Sequence, residues 1–298
     1  MSSRVWQGQS MATTYLVGVD GSASARSALA WARAVAAPDE AIIVVHAWDS
    51  STTTGFDGVT LVDSSIEAAS QEFVDRVVTE QADPRVSGRV RVGHTGMAIV
   101  ELAEEVGADM TIVVGHKGSG KASLLLGSTV HYVVHHTASP VVVVRGESRV
   151  PVRRVVVGVD DTHDDMPDEQ SLAALRWAVR LPGVERIEVS HADFVPGVAA
   201  GPLREPGLES DEAVLADNAL LRHAVDLATD GTGIPPNGAQ VVPVVASGTG
   251  AFALIEASRE VDLVVVGTRG RSGLLEVILG STSLDVLAHA HCPVAVVR

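Results

Sequence analysis

The chain has a single cysteine, Cys292, among 298 residues, which excludes a disulfide framework and leaves no second thiol for a dithiol redox centre. Cys292 precedes an apolar run, so it is expected to be a buried, inert thiol in a reducing compartment. Basic charge is also scarce, because 22 Lys and Arg stand against 37 Asp and Glu for a formal net charge of −15. Phosphate neutralisation by clustered cations is therefore not available, which argues against nucleic acid or an anionic membrane as a partner. No apolar segment approaches the ~20 residues needed to span a bilayer, and the opening Met1 to Thr14 lacks the apolar core of a signal peptide. The expectation is a cytoplasmic protein with Met1 to Thr13 as a loose tail. There is no Gly-x-Ser-x-Gly, no His-Glu-x-x-His and no evident nucleophile and base pair, so no catalytic residue is assigned.

What the sequence does contain is a repeat. Asp262 and the apolar run Leu263-Val-Val-Val266 lead into Gly267-Thr-Arg-Gly270 and, further on, Gly280-Ser281. Asp109, Met110-Thr-Ile-Val-Val114, Gly115-His-Lys-Gly118 and Gly127-Ser128 have the same order of parts. Pro140-Val-Val-Val-Val-Arg145 matches Pro293-Val-Ala-Val-Val-Arg298, Leu16-Val-Gly-Val-Asp20 matches Val156-Val-Gly-Val-Asp160, and His46-Ala47 matches His191-Ala192. These matches read as a tandem duplication, and the length suffices for two domains that each bury a core.

Within each copy, apolar β-branched runs alternate with amphipathic helical stretches. That pattern predicts five strands alternating with four helices, an α/β fold with two tandem doubly wound parallel five-stranded sheets. The first copy runs over 14–147 and the second over 148–298, with Arg149-Val-Pro-Val-Arg153 as the linker. A long, polar Ser/Thr/Gly loop after the second strand is expected to be either a lid or disordered. Glycines directly after the fourth strand allow a sharp turn with exposed N–H groups. Gly-Ser then opens a helix whose positive end faces the same loop, and the two devices together suit phosphate.

A strand-end Asp, Gly-x-x-Gly after the fourth strand and Gly-Ser about ten residues on resemble the nucleotide-binding pattern of the universal stress protein family, from Tyr15 to Arg298. The resemblance implies a Rossmann-like, adenine nucleotide alpha hydrolase-like fold with ATP in a cleft. The strand-one Asp and a backbone group after strand two would hold the adenosine, and the glycine loop and Gly-Ser the phosphates. Carried over, Asp20, Ala47, Gly115, Gly118, Gly127 and Ser128 would form one site; Asp160, Ala192, Gly267, Gly270, Gly280 and Ser281 would form the other. Pairing of the two repeats through Val141 to Val144 and Val294 to Val297 follows as well, with a homodimer as a further expectation. The reading is an ATP-binding stress or regulatory protein, with hydrolysis slow or incidental. Its alternative is an association scaffold whose nucleotide sites have decayed.

The copies depart from the pattern in different places. Eight residues separate Gly118 from Gly127 and nine separate Gly270 from Gly280, so the first loop reads as one residue short. In the second copy Asp161-Thr-His-Asp-Asp165 replaces Gly-Ser, and Mg²⁺ or Mn²⁺ would be needed to screen those carboxylates from a triphosphate. Two rival motifs fail. Gly115 to Ala122 is close to a P-loop, but Ala122 stands where the Mg²⁺-binding hydroxyl belongs. His131, His135 and His136, with His289 and His291, have no standard metal spacing and read as hydrogen-bonded helix-end residues.

Overall fold

The computed structural model of the protein describes residues 13–48, 60–115, 126–145, 148–161, 166–193, 219–268 and 279–298. Residues 1–12 of the expected tail, residues 49–59 after the second strand, Gly118 and Gly270 lie outside them. The first repeat runs β1 (Thr14–Gly18), α1 (Ala23–Val35), β2 (Ala41–Trp48), α2 (Thr60–Gln81), β3 (Val86–Val92), α3 (Thr95–Val106), β4 (Met110–Val114), α4 (Ser128–His136) and β5 (Val141–Val144). The second runs β6 (Arg154–Gly158), α5 (Glu169–Ala178), β7 (Arg186–Asp193), α6 (Ala219–Ala228), β8 (Gln240–Ser247), α7 (Gly250–Ala257), β9 (Leu263–Gly267), α8 (Ser281–His289) and β10 (Val294–Val297).

Strand order is β3-β2-β1-β4-β5-β10-β9-β6-β7-β8, a ten-stranded sheet. Each half is the doubly wound parallel sheet that the repeat implies, and the halves are joined by the antiparallel pair β5/β10. Helices cover both faces, which is why the strands read as unbroken apolar runs. Tyr15 and Val17 point into a layer under α1, α2, α5 and α6, whereas Leu16 points into the layer under α3, α4, α7 and α8. At the seam Val294 faces Val143, Ala295 faces Val142 and Val296 faces Val141, all buried. Edge pairing removes two apolar strands that would otherwise template association. Arg298 closes the seam by donating from Nη2 to the Val134 carbonyl at 2.6 Å.

The acids that precede the fourth strand of each repeat sit at the opposite end of the sheet from the glycine loops. Asp109 accepts the Thr14 N–H at 2.9 Å, and Asp262 accepts those of Arg153 and Arg154 at 2.9 Å. They tie neighbouring strand starts together and have no part in the cleft.

A second tether at that end holds α1 to the turn before β3. Asp83 takes bonds from Arg85 Nε and Nη2 at 3.0 and 2.8 Å and from Arg33 Nε at 3.0 Å. Arg85 Nη1 then donates to the carbonyls of Ala36 and Ala37, which follow α1. The Arg85 guanidinium, helped by Arg33, holds the Asp83 carboxyl far below the usual carboxylate range. The stability gained is full above the unfolded-state value of about 3.9 and is lost as pH falls through the lower folded-state value. Asp83→Asn should therefore cost about 1–2 kcal/mol at pH 7, from lost charged hydrogen bonds. Urea unfolding at pH 7 and pH 3 checks this: the gap between variant and parent should shrink in acid, and a constant gap would exclude the charged tether.

Candidate functional site

In a doubly wound sheet the ligand position is the crevice at the carboxyl ends of the strands where the order reverses, here between β1 and β4 and between β6 and β9. A cleft of about 190 Å³ at the first of these points is lined by Gly18, Asp20, Ala47, Thr95, Val113 and Thr129, among others. One of about 130 Å³ at the second is lined by Asp160, Ala192, Gly250, Gly267, Gly280 and Thr282, among others. Both strand-end acids and both residues after the second strand's histidine thus face the clefts, as the sequence pattern implies.

The first turn is tight. Gly21 has φ +81°, a left-handed conformation that suits glycine, and Asp20 Oδ1 accepts the Ser22 N–H at 2.9 Å. Ser22 then caps α1 by accepting the Ala25 N–H at 3.0 Å. In the second repeat the acidic insertion leaves and returns at almost the same point. Asp161 bridges Pro167, and the Asp168 N–H donates to the Asp160 carbonyl at 3.0 Å. Asp168 does the work of Ser22, accepting the Ser171 N–H at 2.7 Å to cap α5. Asp168 lines the second cleft beside Asp160, so among the described residues that cleft carries one more carboxylate than the first. Asp161 is exposed, and Asp164 and Asp165 lie outside the described residues.

His46 and His191 serve structure in both repeats. Each sets Nδ1 3.0 Å from a carbonyl, that of Val19 or Val159. A carbonyl only accepts, so Nδ1 carries the proton, and the bond fixes the ring against the end of the first strand. The helix-end histidines behave similarly, with His136 Nδ1 on the Tyr132 carbonyl and His289 Nδ1 on the Asp285 carbonyl. Burial pushes the Cys292 thiol up to about 12, in keeping with an unreactive side chain.

Strand pairing changes the alignment of the glycine loops. Val114 pairs with Val144 as Gly267 pairs with Val297, and the next N–H groups, of Gly115 and Thr268, each bond 3.0 Å to those partners' carbonyls. The spatial counterpart of Gly115 is therefore Thr268, and that of Gly267 is Val114. As many residues separate Gly115 from Gly127 as separate Thr268 from Gly280. The loops are equal in length between equivalent ends, and the apparent deletion is a shift of the glycines by one residue. Gly267 has a local packing cause: a Cβ there would lie 2.7 Å from the backbone of Gln170 in the first turn of α5.

Gly127 and Gly280 are the N-cap residues of α4 and α8, with φ/ψ of −58°/150° and −67°/156° and no side-chain cap. Any residue adopts such angles, so glycine is not there for backbone freedom. What it removes is the cap oxygen, which leaves first-turn N–H groups and the positive helix end available to an anion. Ser128 and Ser281 are exposed; the residues of these turns that line the clefts come after them, Thr129 in the first and Thr282 and Ser283 in the second. Neither threonine stood out in the sequence, although each sits one position from the motif. Ser190 and Thr268, which also line the second cleft, had no local signal at all.

No helix among the described residues is long and apolar enough to cross a membrane. The family model of the universal stress protein family matches residues 11–145 and again 151–298. A universal stress protein of Mycolicibacterium smegmatis is 30% identical over 312 residues, covering 96% of this chain and 98% of its own length. One from Mycobacterium tuberculosis is 30% identical over 304 residues, covering 95% of this chain and 96% of its own. Among solved structures, a universal stress protein from Archaeoglobus fulgidus has a TM-score of 0.66 at 22% identity, covering 96% of this chain and 98% of that one. At that identity the likeness is one of fold.

Proposed function

The chain belongs to the universal stress protein family, with two tandem copies of the family's domain, and from that premise we propose that it is a stress-response protein that binds ATP, with Mg²⁺, in each of its two clefts and acts by regulation rather than by strong catalysis. The observation that carries this reading is a pairing present twice: a strand-end carboxylate, Asp20 or Asp160, and a helix N-terminus left uncapped by Gly127 or Gly280. Phosphates suit the helix end, where N–H groups and the dipole act together. The carboxylates and the backbone at Ala47 and Ala192 then fall to the ribose and base. Ser128 and Ser281 open the two helices, and the loops begun by Gly115 and Gly267 and continued through Gly118 and Gly270 complete the proposed cradles.

The test is ATP titration by calorimetry of nucleotide-free protein, with one cradle disabled at a time by Gly127→Glu or Gly280→Glu, with and without Mg²⁺ at constant salt. Both variants should retain one binding event. Because among the described residues the second cleft presents Asp160 and Asp168 and the first presents Asp20, Mg²⁺ should raise affinity in the second by on the order of tenfold more. Absence of any heat at millimolar ATP would exclude the reading. Equal Mg²⁺ gains would exclude only the role given to Asp168.

A further inference from the structure

The two clefts differ in the chemistry of their floors. Strand register makes Ser190 the counterpart of Val45, since Gly158 pairs with Ser190 as Gly18 pairs with Val45. Ser171 stands three residues after its cap, as Ala25 does in the first repeat. At three corresponding places the first repeat thus has Val45, Ala25 and Gly115, and the second has Ser190, Ser171 and Thr268. The clefts share an apolar wall, Ile99 and Val113 in the first and Leu254 and Val266 in the second, and each takes a threonine from its helix turn; the second differs in presenting Ser190 where the first presents Val45, with Ser171 and Thr268 beside it.

Two of those hydroxyls are uncommitted. Ser190 and Thr268 are each only 4% exposed, both line the cleft, and neither side chain has a hydrogen-bond partner among the described residues. A hydroxyl open to the cleft is hydrated until a ligand covers it, and it then costs free energy unless the ligand bonds to it. Ser171 differs, because its Oγ already accepts the Asp160 N–H at 2.9 Å. Thr268 adjoins the glycine loop and so belongs to the anionic end. Ser190 sits in β7, one strand beyond β6, where the end of the ligand remote from α8 must lie.

We infer that Ser190 is a specificity-determining residue: the second cleft selects a nucleotide whose base offers a hydrogen-bonding group to the Ser190 hydroxyl, whereas the first has Val45 at that place and discriminates less. The inference rests on the nucleotide reading above and assigns different ligand preferences to the two sites. Its physical basis is asymmetric. A valine in the pocket wall gains little from, and loses little to, one polar substituent, but a hydroxyl that the bound base covers and leaves unpaired penalises every ligand that lacks the matching group.

The experiment compares ATP with purine riboside triphosphate, which lacks the 6-amino group but has the same ring, ribose and phosphates. In the Gly127→Glu background, which leaves the second cleft, ATP should bind about tenfold more tightly than the analogue. In the Gly280→Glu background, which leaves the first, the preference should be only about threefold. Ser190→Val in the former background should reduce the preference to that of the first cleft by weakening ATP while sparing the analogue, and Ser190→Thr should retain it. Ser190→Ala provides the same comparison if valine perturbs the fold. An ATP-to-analogue ratio that Ser190→Val and Ser190→Ala leave unchanged overturns the inference and leaves ATP binding intact. Loss of all nucleotide binding in both cradle backgrounds, with the parent also silent, overturns the nucleotide reading and this inference together.

Discussion

Replacing both N-cap glycines, Gly127→Glu with Gly280→Glu, should lower ATP affinity by at least about 100-fold while leaving the fold intact. A carboxylate placed about 4 Å from a phosphate oxygen at an effective dielectric of about 20 is repelled by about 4 kcal/mol per charge pair, which is more than the ~2.7 kcal/mol that 100-fold represents. The fold should tolerate the change because both glycines hold angles open to any residue. Gly→Ser at the same positions makes a sharper control. A serine there would supply the missing cap oxygen, so thermal stability should hold or rise slightly while ATP, deprived of those N–H groups, binds more weakly. Calorimetry and thermal melts read the two effects separately. Unchanged ATP affinity in the double glutamate variant would remove the helix ends from the site.

Val142→Asp should cost about 3–5 kcal/mol, because it buries an unpaired charge, and should yield insoluble or largely unfolded protein. Val142 is fully enclosed and faces Ala295 across the joint between the repeats, with both side chains in the same core layer. A loss of that size is a large share of the ~5–15 kcal/mol that holds an ordinary domain together. The control is Val92→Asp, at the end of the outer strand β3, where the side chain is 54% exposed and the change should stay within about 0.5 kcal/mol. Urea midpoints and light scattering distinguish the cases. If the two variants unfold alike, the repeats do not depend on their shared strand pair.

Much of this architecture could be read from the sequence because its causes are local. Runs such as Leu263 to Val266 need apolar cover on both faces, so they announce parallel strands wherever they occur. Ser22 marks a helix start because its own hydroxyl reaches the Ala25 N–H three residues away. The duplication shows in aligned residues without any knowledge of contacts, and with it came both strand-end acids and both uncapped glycines. Where the reading went astray, a distant contact was responsible. Gly115 and Gly267 look equivalent because each follows an apolar run, yet the hydrogen bonds to Val144 and Val297 set them one residue apart. Matching glycine to glycine therefore invented a shortened loop. At the acidic stretch after Asp160, the bridge between Asp161 and Pro167 and the bond from the Asp168 N–H to the Asp160 carbonyl are likewise contacts that the sequence does not display.

By itself the sequence determined two α/β repeats, their strand and helix order, the strand-end carboxylates and the glycine-capped helices. These follow from period, propensity and capping, each satisfied within a few residues. Only the tertiary structure decided that two five-stranded halves become one ten-stranded sheet, that Thr129 and Thr282 line the clefts and Ser128 and Ser281 do not, and that Ser190 and Thr268 line one cleft where Val45 and Gly115 are their counterparts in the other repeat. Those facts depend on which strands are neighbours and in what register they pair. Register is fixed by hydrogen bonds and packing between residues far apart in the chain, and one step along a strand moves a side chain to the opposite face.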